Sequence, residues 1–163
     1  MRCKRPIFVK KVDQYVRCGR CLGCKIKFRN VWASRIYFEW CSYQQENPLL
    51  MPSFVTWTYA PENIVKSASG LPTLEKAAFQ KWLRNQHQRT GPFRHFSVGE
   101  YGSGKEKRPH YHSILFPSYA GQERDLGRAW FKSYGYCQAE PARFGGCQYL
   151  TKYATKWAVY PRS

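Results

Sequence analysis

Residues 93–116 read FRHFSVGEYGSGKEKRPHYHSILF, and this stretch decides the fold. Aromatic and β-branched residues are frequent at both of its ends, which predicts two strands at residues 93–101 and 109–116. The segment GSGKEK between them consists of glycine, small polar and charged residues, which is typical of a hairpin loop. We therefore expect an antiparallel hairpin here.

Outward from this hairpin, apolar residues recur at helical spacing in four segments, residues 22–43, 73–89, 121–131 and 143–158. Thr73 is the expected N-cap of the second helix. Two further strands are predicted at residues 53–59 and 134–140. The order α-β-α-β-β-α-β-α predicts an α+β fold, in which a mostly antiparallel central sheet carries helices on one face.

The first 30 residues are predicted to be a Cys-rich basic arm that packs on a second unit, residues 31–163. The arm contains ten lysines and arginines and one acidic residue, Asp13. Pro6, Gly19 and the polar composition up to residue 21 predict little regular structure there. A cluster of cations beside many aromatic residues indicates a partner that carries phosphates and unpaired bases.

Composition narrows the class of protein. In 163 residues, 27 lysines and arginines against 10 aspartates and glutamates give a formal net charge of +17, and 17% of the residues are aromatic. That aromatic content excludes a disordered basic tail, and no apolar run is long enough for a membrane span or a signal peptide. A folded cationic domain of this kind favours nucleic-acid binding, but charge alone does not separate DNA from RNA or binding from catalysis.

His110 and His112 alternate along the second hairpin strand, so both imidazoles are expected on one face of the sheet. In a hairpin centred on Lys105, Glu100 lies opposite His110 and shares that face. Two imidazoles and a carboxylate with open positions suit Mg²⁺ or Mn²⁺ acting on a phosphoryl oxygen. The pair alone would serve Zn²⁺ as readily, and two hydrogen-bonded surface histidines are the simpler alternative.

Tyr149 and Tyr153 are four residues apart on the last predicted helix, so their phenols are expected on one face, one turn apart. Lys152 and Lys156 form a second pair at the same spacing. A divalent metal that polarises a phosphate, together with nearby ammonium groups, makes a phenol a competent nucleophile. Aromatic pairs at this spacing also occur as ordinary core packing, and this alternative stays open.

Cys3, Cys18, Cys21 and Cys24 place four thiols in the arm. The odd total of seven cysteines, the C-x-x-C spacing and the lack of a signal peptide argue against a disulfide framework. We predict a tetrahedral Zn²⁺ site that joins the arm to the first helix. The spacing C-x-x-C-x-x-C also occurs at iron–sulfur clusters, and ordinary thiols without metal are the third alternative.

Three segments stand in the order of the three motifs of HUH endonucleases: FVTWTY at 54–59, RPHYHSIL at 108–115 and YLTKY at 149–153. With CGRCLGC at 18–24 and GEYG at 99–102, the chain closely resembles the replication initiators of microviruses, especially the gokushovirus-like branch of small single-stranded DNA phages. The resemblance covers the chain from Cys3 to about Trp157. It implies an HUH nuclease fold of the ferredoxin-like type for residues 31–163.

The resemblance also implies an activity, metal-dependent nicking and rejoining of single-stranded or extruded origin DNA through a 5′-phosphotyrosine, which starts rolling-circle replication. His110 and His112 match the HUH ligands and Glu100 the third ligand. Tyr149, Tyr153 and Lys152 match the two-tyrosine motif, and Mg²⁺ or Mn²⁺ is the implied cofactor.

Further expectations concern partners. The host helicase and polymerase are expected partners, membranes are not, and the expected location is the cytoplasm of a bacterial host. Six cations are candidate DNA contacts: Arg17, Arg20, Lys25, Arg29, Arg108 and Lys156. Two other functions stay open, namely a non-catalytic zinc-stabilised protein that binds single-stranded nucleic acid, and an HUH enzyme of the transposase or relaxase type.

Overall fold

A computed structural model describes residues 2–102 and 108–153. The predicted hairpin loop at 103–107, the helical segment predicted at 154–158 and Lys156 lie outside the described residues. The elements, in chain order, are β1 (Ile7–Val9), β2 (Gln14–Val16), α1 (Leu22–Glu46), β3 (Ser53–Tyr59), α2 (Lys76–Thr90), β4 (Arg94–Tyr101), β5 (Pro109–Phe116), α3 (Gln122–Ser133), β6 (Gly135–Pro141) and α4 (Phe144–Tyr153).

The central sheet has four antiparallel strands in the order β4-β5-β3-β6. The α+β class and the antiparallel sheet are therefore confirmed. Strand β3 alternates buried and half-buried residues along its whole length, because it has a neighbour on each side and packed material on both faces. The hairpin register is also as predicted, with Glu100 opposite His110.

One face of the sheet, the α2–α3 face, carries most of the core. Trp57 of β3 is fully buried there, and its ring centroid lies 5.1 Å from that of Trp82 in α2 and 5.6 Å from that of Trp130 in α3. The indole N–H of Trp57 donates to Ser113 Oγ at 2.9 Å, which satisfies a polar group in an apolar interior. Strand residues with odd numbers point to this face.

The other face, the α1–α4 face, is covered too, which corrects the expectation of helices on one face. Ile36 and Tyr43 of α1 and Leu150 of α4 are buried against Ile114 and Phe116 of β5. Arg94 at the start of β4 forms salt bridges with Glu39 at 2.6 Å and Glu46 at 3.1 Å, both on α1. Helices cover both faces because both faces of the sheet present apolar residues.

Two further sequence predictions need correction. The arm contains a two-stranded antiparallel sheet, β1 paired with β2, where little regular structure was expected. Helix α2 begins at Lys76, and Thr73 is not its N-cap. The reason is that the N–H of Thr73 donates to Val65 O at 2.8 Å and that of Leu74 to Tyr101 Oη at 3.1 Å, which fixes both residues outside the helix.

The division of the chain at residue 30 stays a prediction. Helix α1 continues through that position, so one helix joins the arm to the central sheet. Among the described residues, none of the helices combines the length and hydrophobicity that a membrane crossing requires.

Candidate active site

Three side chains with metal-binding chemistry lie together on the α1–α4 face of the sheet. Glu100 pairs with His110 across the β4–β5 hairpin, and His112 follows His110 by two residues on β5. Because alternate strand residues share a face, the carboxylate and both imidazoles project to the same side. The structure thus brings together the three residues that the sequence predicted as ligands.

The distances between their ligand atoms test whether one ion fits. His110 Nε2 lies 3.1 Å from His112 Nε2, and Glu100 Oε2 lies 3.4 Å from His112 Nε2 and 3.6 Å from His110 Nε2. Two ligand atoms that each bind one ion at about 2.1 Å are about 3.0 Å apart at a right angle and about 3.4 Å apart at a tetrahedral angle. The three observed separations are close to these values, so the residues fit a single divalent ion.

Hydrogen bonds behind the imidazoles orient them for this role. His110 Nδ1 lies 3.0 Å from the carbonyl oxygen of Arg108, and a carbonyl can only accept, so Nδ1 carries the proton. His112 Nδ1 lies 3.0 Å from Thr56 Oγ1 on β3. With both Nδ1 atoms bound to outer partners, the Nε2 lone pairs are left for a cation, which is the usual arrangement of histidine ligands.

The environment of His112 favours its neutral form. Burial lowers the pKa of His112 below its ordinary value, and the neighbouring His110 lowers it further, while Glu100 acts in the opposite direction. Only 12% of the His112 side chain is exposed. A neutral imidazole is the form that binds a metal ion, so the site is prepared for one near neutral pH.

Helix α4 carries the predicted tyrosines, and it packs on this same face. Leu150 is fully buried among residues of β5 and α1. Tyr149 is half exposed and lines a cavity of about 550 Å³ with Phe54 and Arg143. The Phe54 ring centroid lies 5.5 Å from that of His112, so the cavity and the ligand cluster share a wall.

Two of the three predicted catalytic residues can be placed only in part. Tyr153 is the last residue of α4, one turn after Tyr149 as predicted, and its side chain lies outside the described part of the structure. Lys152 is exposed on the last turn of α4. The close approach of α4 to β3 uses Gly146, where an added Cβ would lie 3.8 Å from the Phe54 ring.

Thr56, Phe54 and Arg143 belong to the site and were missed as site residues by the sequence analysis. Thr56 stands at the centre of the FVTWTY segment, and the alternation of β3 shows which residues share its face. Its partner could be found only from the register between β3 and β5, which pairs Thr56 with His112 across a long loop.

The four cysteines of the arm form a second cluster. Their sulfur atoms lie within 4.8 Å of one another, with Cys3 Sγ 3.6 Å from Cys18 Sγ, Cys21 Sγ 3.8 Å from Cys3 Sγ, and Cys18 Sγ 3.9 Å from Cys24 Sγ. Four thiolates that bind one Zn²⁺ at about 2.3 Å in a tetrahedron have sulfurs about 3.8 Å apart. The four residues therefore fit one tetrahedral ion, and these sulfurs are not joined as disulfides.

Backbone N–H groups support thiolates in this cluster. The N–H of Cys18 donates to Cys3 Sγ at 3.4 Å and lowers the pKa of Cys3. The N–H groups of Lys4 and Cys24 lower the pKa of Cys21 to about 6, whereas burial raises the pKa of Cys24 to about 11. A four-iron cluster binds each thiolate to a different iron and separates the sulfurs further, so this spacing favours a single ion.

The predicted DNA contacts are distributed over two regions. Arg17 and Arg20 are exposed in the arm, and Lys25 and Arg29 are half-buried on the first turns of α1. Arg108 is half-buried beside the histidines.

An α+β protein with a two-histidine, one-carboxylate cluster on its sheet, a tyrosine helix beside that cluster and a four-cysteine cluster in a cationic arm is the class that these observations define. Within it, the chain belongs to the family of viral replication-associated proteins of the ORF2 type, whose model matches residues 52–158. The match includes both histidines, Glu100 and both tyrosines, and the cysteine-rich arm precedes it.

The chain is also 28% identical over 165 aligned residues to the replication-associated protein ORF2 of Spiroplasma virus 4. The alignment covers 89% of this chain and 49% of the relative, so the chain spans about half the length of that curated protein. No solved structure matches the chain. These findings confirm the predicted kinship with viral replication proteins.

Proposed function

We propose that the chain is a viral replication initiator that nicks and rejoins single-stranded or extruded origin DNA through a tyrosine. The observation that carries the proposal is the convergence of Glu100, His110 and His112 on the sheet face against which α4 packs. The family and the relative, both replication-associated proteins, support it. The resemblance to HUH initiators of microviruses gives the proposal its specific reaction.

The cluster on the sheet is the proposed site of Mg²⁺ or Mn²⁺. Bound there, the ion supplies Lewis-acid polarisation of a phosphoryl oxygen. The protein holds the cluster rigidly, because the imidazoles are fixed from behind by the Arg108 carbonyl and by Thr56. Rigid ligands keep the phosphate position constant relative to α4, which is the positioning that such a reaction needs.

Tyr149 or Tyr153 is the proposed nucleophile. The phenol oxygen loses its proton and forms a bond to the scissile phosphorus while the bond from phosphorus to the 3′ oxygen breaks. The 3′ oxygen takes up a proton and leaves as a hydroxyl, and the 5′ phosphate stays joined to tyrosine. In the reverse direction, a 3′ hydroxyl attacks the phosphotyrosine and releases the phenol. No oxidation or reduction occurs in either direction.

Cations near the phenols have a defined part in this scheme. A free phenol is a weak nucleophile at neutral pH, and positive charge nearby stabilises the phenolate. Lys152 is on the same helix, and Arg143, just before α4, lines the cavity with Tyr149. We assign Lys152 to the active site on this ground and expect Arg143 to bind a phosphate that flanks the scissile one.

The cysteine cluster is the proposed Zn²⁺ site, with a structural role. Metal analysis of protein purified without chelators tests it, since one equivalent of zinc is expected and iron would favour the alternative cluster. Origin DNA is the proposed partner of the chain in the host cytoplasm, and the host helicase and polymerase are the partners proposed for later steps of replication.

The reaction is tested with labelled oligonucleotides that together cover both strands of the genome encoding the chain. Each is incubated with protein and Mn²⁺, and covalent adducts are separated by electrophoresis in SDS. We expect one oligonucleotide region to form an adduct. Single Tyr149→Phe and Tyr153→Phe variants should keep some adduct if the phenols are interchangeable, and the double variant should form none.

Tyr136→Phe is the matched control for the nucleophile. Tyr136 is exposed, pairs with Thr58 and therefore shares the face of the cluster. This variant should form the adduct as the natural chain does. Adduct formation by the Tyr149→Phe, Tyr153→Phe double variant would place the nucleophile elsewhere, and loss in Tyr136→Phe would point to that phenol instead.

The ligands are tested by a His110→Ala, His112→Ala variant, with His95→Ala as control. His95 is on β4 and points to the opposite face of the sheet from Glu100. The double variant should lose adduct formation and keep binding of single-stranded DNA, because binding depends on dispersed cations. Nicking by the double variant would refute the ligand assignment.

A second function is favoured by the cysteine cluster and the cationic arm, namely non-catalytic binding of single-stranded nucleic acid. Binding of oligonucleotides without adduct at any genomic region would support it over the enzyme. A strict dependence on one tyrosine would instead support an enzyme of the transposase or relaxase type.

A further inference from the structure

The β1–β2 hairpin of the arm is a structure with almost no core of its own. Its two strands have three residues each, and none of their side chains is buried. A two-stranded hairpin of this kind is marginally stable in water at best. The cysteine cluster compensates, because Cys3 precedes the hairpin, Cys18 follows it, and their sulfurs lie 3.6 Å apart.

The surface that this arrangement presents is both apolar and cationic. Of the eighteen large hydrophobic residues that are exposed in the described chain, ten lie between residues 7 and 38. Residues 2–38 also contain eleven lysines and arginines, with Asp13 as the one acidic residue. Exposed apolar groups cost free energy in a protein that stays alone in water, so their concentration indicates a binding surface.

Two rings on the hairpin are placed for stacking. Phe8 and Tyr15 are cross-strand partners, and their centroids lie 5.1 Å apart. Tyr15 is 73% exposed. A ring pair that is open to solvent offers flat apolar surface to an unpaired base, and stacking of this kind tolerates any base sequence.

A row of residues on α1 continues this surface. Arg17, at the end of the hairpin, lines a cavity of about 530 Å³ together with Lys27, Arg35 and Phe38 of α1. Arg35 is also stacked at 5.1 Å over the ring of Trp32, and Phe38 is 68% exposed. Cations spaced along one side of a helix can contact several phosphates of a single strand.

We propose that the hairpin and this row on α1 form a binding surface for single-stranded DNA, separate from the residues that react with it. The proposal rests on the proposed function for its choice of nucleic acid. The rings bind bases, the cations bind phosphates, and the cysteine cluster keeps the hairpin in the conformation that presents them. Single-stranded DNA is favoured over a duplex because the rings are of use only where bases are unpaired.

The electrostatic part is tested with an Arg17→Ala, Lys27→Ala variant. Its matched control is Lys81→Ala, Arg84→Ala, which removes the same two charges from exposed positions of α2 on the other side of the sheet. Binding of labelled oligothymidylate is measured by fluorescence anisotropy over a range of salt, without added divalent metal. Each lost phosphate contact lowers the salt slope by about 0.7.

For two lost contacts, that slope corresponds to about 25-fold weaker binding at 0.1 M salt. The control should retain the slope and nearly the whole affinity. Equal losses in both variants would show that only total charge matters and would overturn the proposal. Unchanged binding by the Arg17→Ala, Lys27→Ala variant would overturn it as well.

The stacking part is tested with Tyr15→Ala, and with Tyr119→Ala as control. Tyr119 is a partly exposed tyrosine just before α3, far along the chain from the arm. Tyr15→Ala should weaken binding of oligothymidylate by about fivefold or more and should leave binding of an abasic oligomer unchanged. An equal loss with both oligomers would contradict stacking, and zinc content checks that the arm is intact.

The covalent assay separates this proposal from the function on which it rests. The arm variants should form the covalent adduct at saturating DNA as the natural chain does, because they leave the cluster on the sheet unchanged. If the natural chain forms no adduct while the arm variants lose binding, the proposed reaction fails and the arm surface stands.

Discussion

Replacement of Thr56 by valine should weaken metal binding at the sheet cluster without touching a ligand. Thr56 Oγ1 lies 3.0 Å from His112 Nδ1, and valine has nearly the shape of threonine without the hydroxyl. Packing against the neighbouring side chains is therefore kept. The Nδ1–H of His112 loses its partner, and the tautomer with Nε2 free for a cation becomes less favourable.

The magnitude follows from burial. The His112 side chain is 12% exposed, so water replaces the lost partner poorly, and an unsatisfied buried donor costs about 1–3 kcal/mol. That range corresponds to about 5- to 150-fold in affinity. Partners behind histidine ligands are typically worth about 10- to 100-fold. We therefore expect the Kd for Mn²⁺ to rise by about 10- to 100-fold in Thr56→Val.

Titration calorimetry with Mn²⁺ measures the change, and Thr58→Val is its control. Thr58 is on the same face of β3 and pairs with His110 in the ladder, but its hydroxyl makes no hydrogen bond within the described part of the chain. Thr56→Ser keeps a hydroxyl and should bind within about threefold of the natural chain. Equal affinities for Thr56→Val and Thr58→Val would refute the role assigned to Thr56.

Three other variants test the fold and the arm. Cys21→Ser should reduce bound zinc from one equivalent to well below one by metal analysis and increase amide exchange in β1 and β2, whereas Cys41→Ser should change neither. Burial raises the pKa of Tyr43 to about 12 and its hydroxyl donates to Pro117 O at 2.6 Å; because the unfolded phenol ionises near 10, urea unfolding should show up to about 2.7 kcal/mol of stability lost between pH 10 and 12, and Tyr43→Phe should lose less over that range. Gly135 has φ +151°, and an added Cβ would lie 2.5 Å from Thr58 O, so Gly135→Ala should destabilise by about 3 kcal/mol in denaturant, while Gly145→Ala in the open part of α4 should not destabilise.

The central hairpin and its ligands could be predicted because their pairing is local. Once the turn of a hairpin is placed, each residue of one strand has a fixed partner on the other. The positions of Gly102 and the polar segment after it therefore determine that Glu100 faces His110. Alternation then adds His112 to the same face.

The second layer of helices could not be predicted because the site itself interrupts the apolar pattern. On the α1–α4 face, β3 contributes Phe54, Thr56 and Thr58, and β5 contributes both histidines before Ile114. Such a row resembles the solvent face of a half-exposed sheet. The apolar residues that bind α1 and α4 are concentrated at one end of the strands, with polar ligands at the other, and periodicity alone does not show this division.

The same contrast between local and distant contacts separates the ligand clusters from the tyrosine helix. Each cluster is assembled across a hairpin, β4–β5 for Glu100 and His110, and β1–β2 for Cys3 and Cys18. Short loops close at small entropic cost, so both ligand sets can form before the rest of the fold is complete. Tyr149 reaches the cluster only because Leu150 packs between α1 and β5, which lie far from α4 in sequence. Metal binding should consequently depend on local hairpin structure, whereas the approach of the phenols depends on the complete α1–α4 face, and a variant that weakens Leu150 packing should lower adduct formation before it lowers Mn²⁺ affinity.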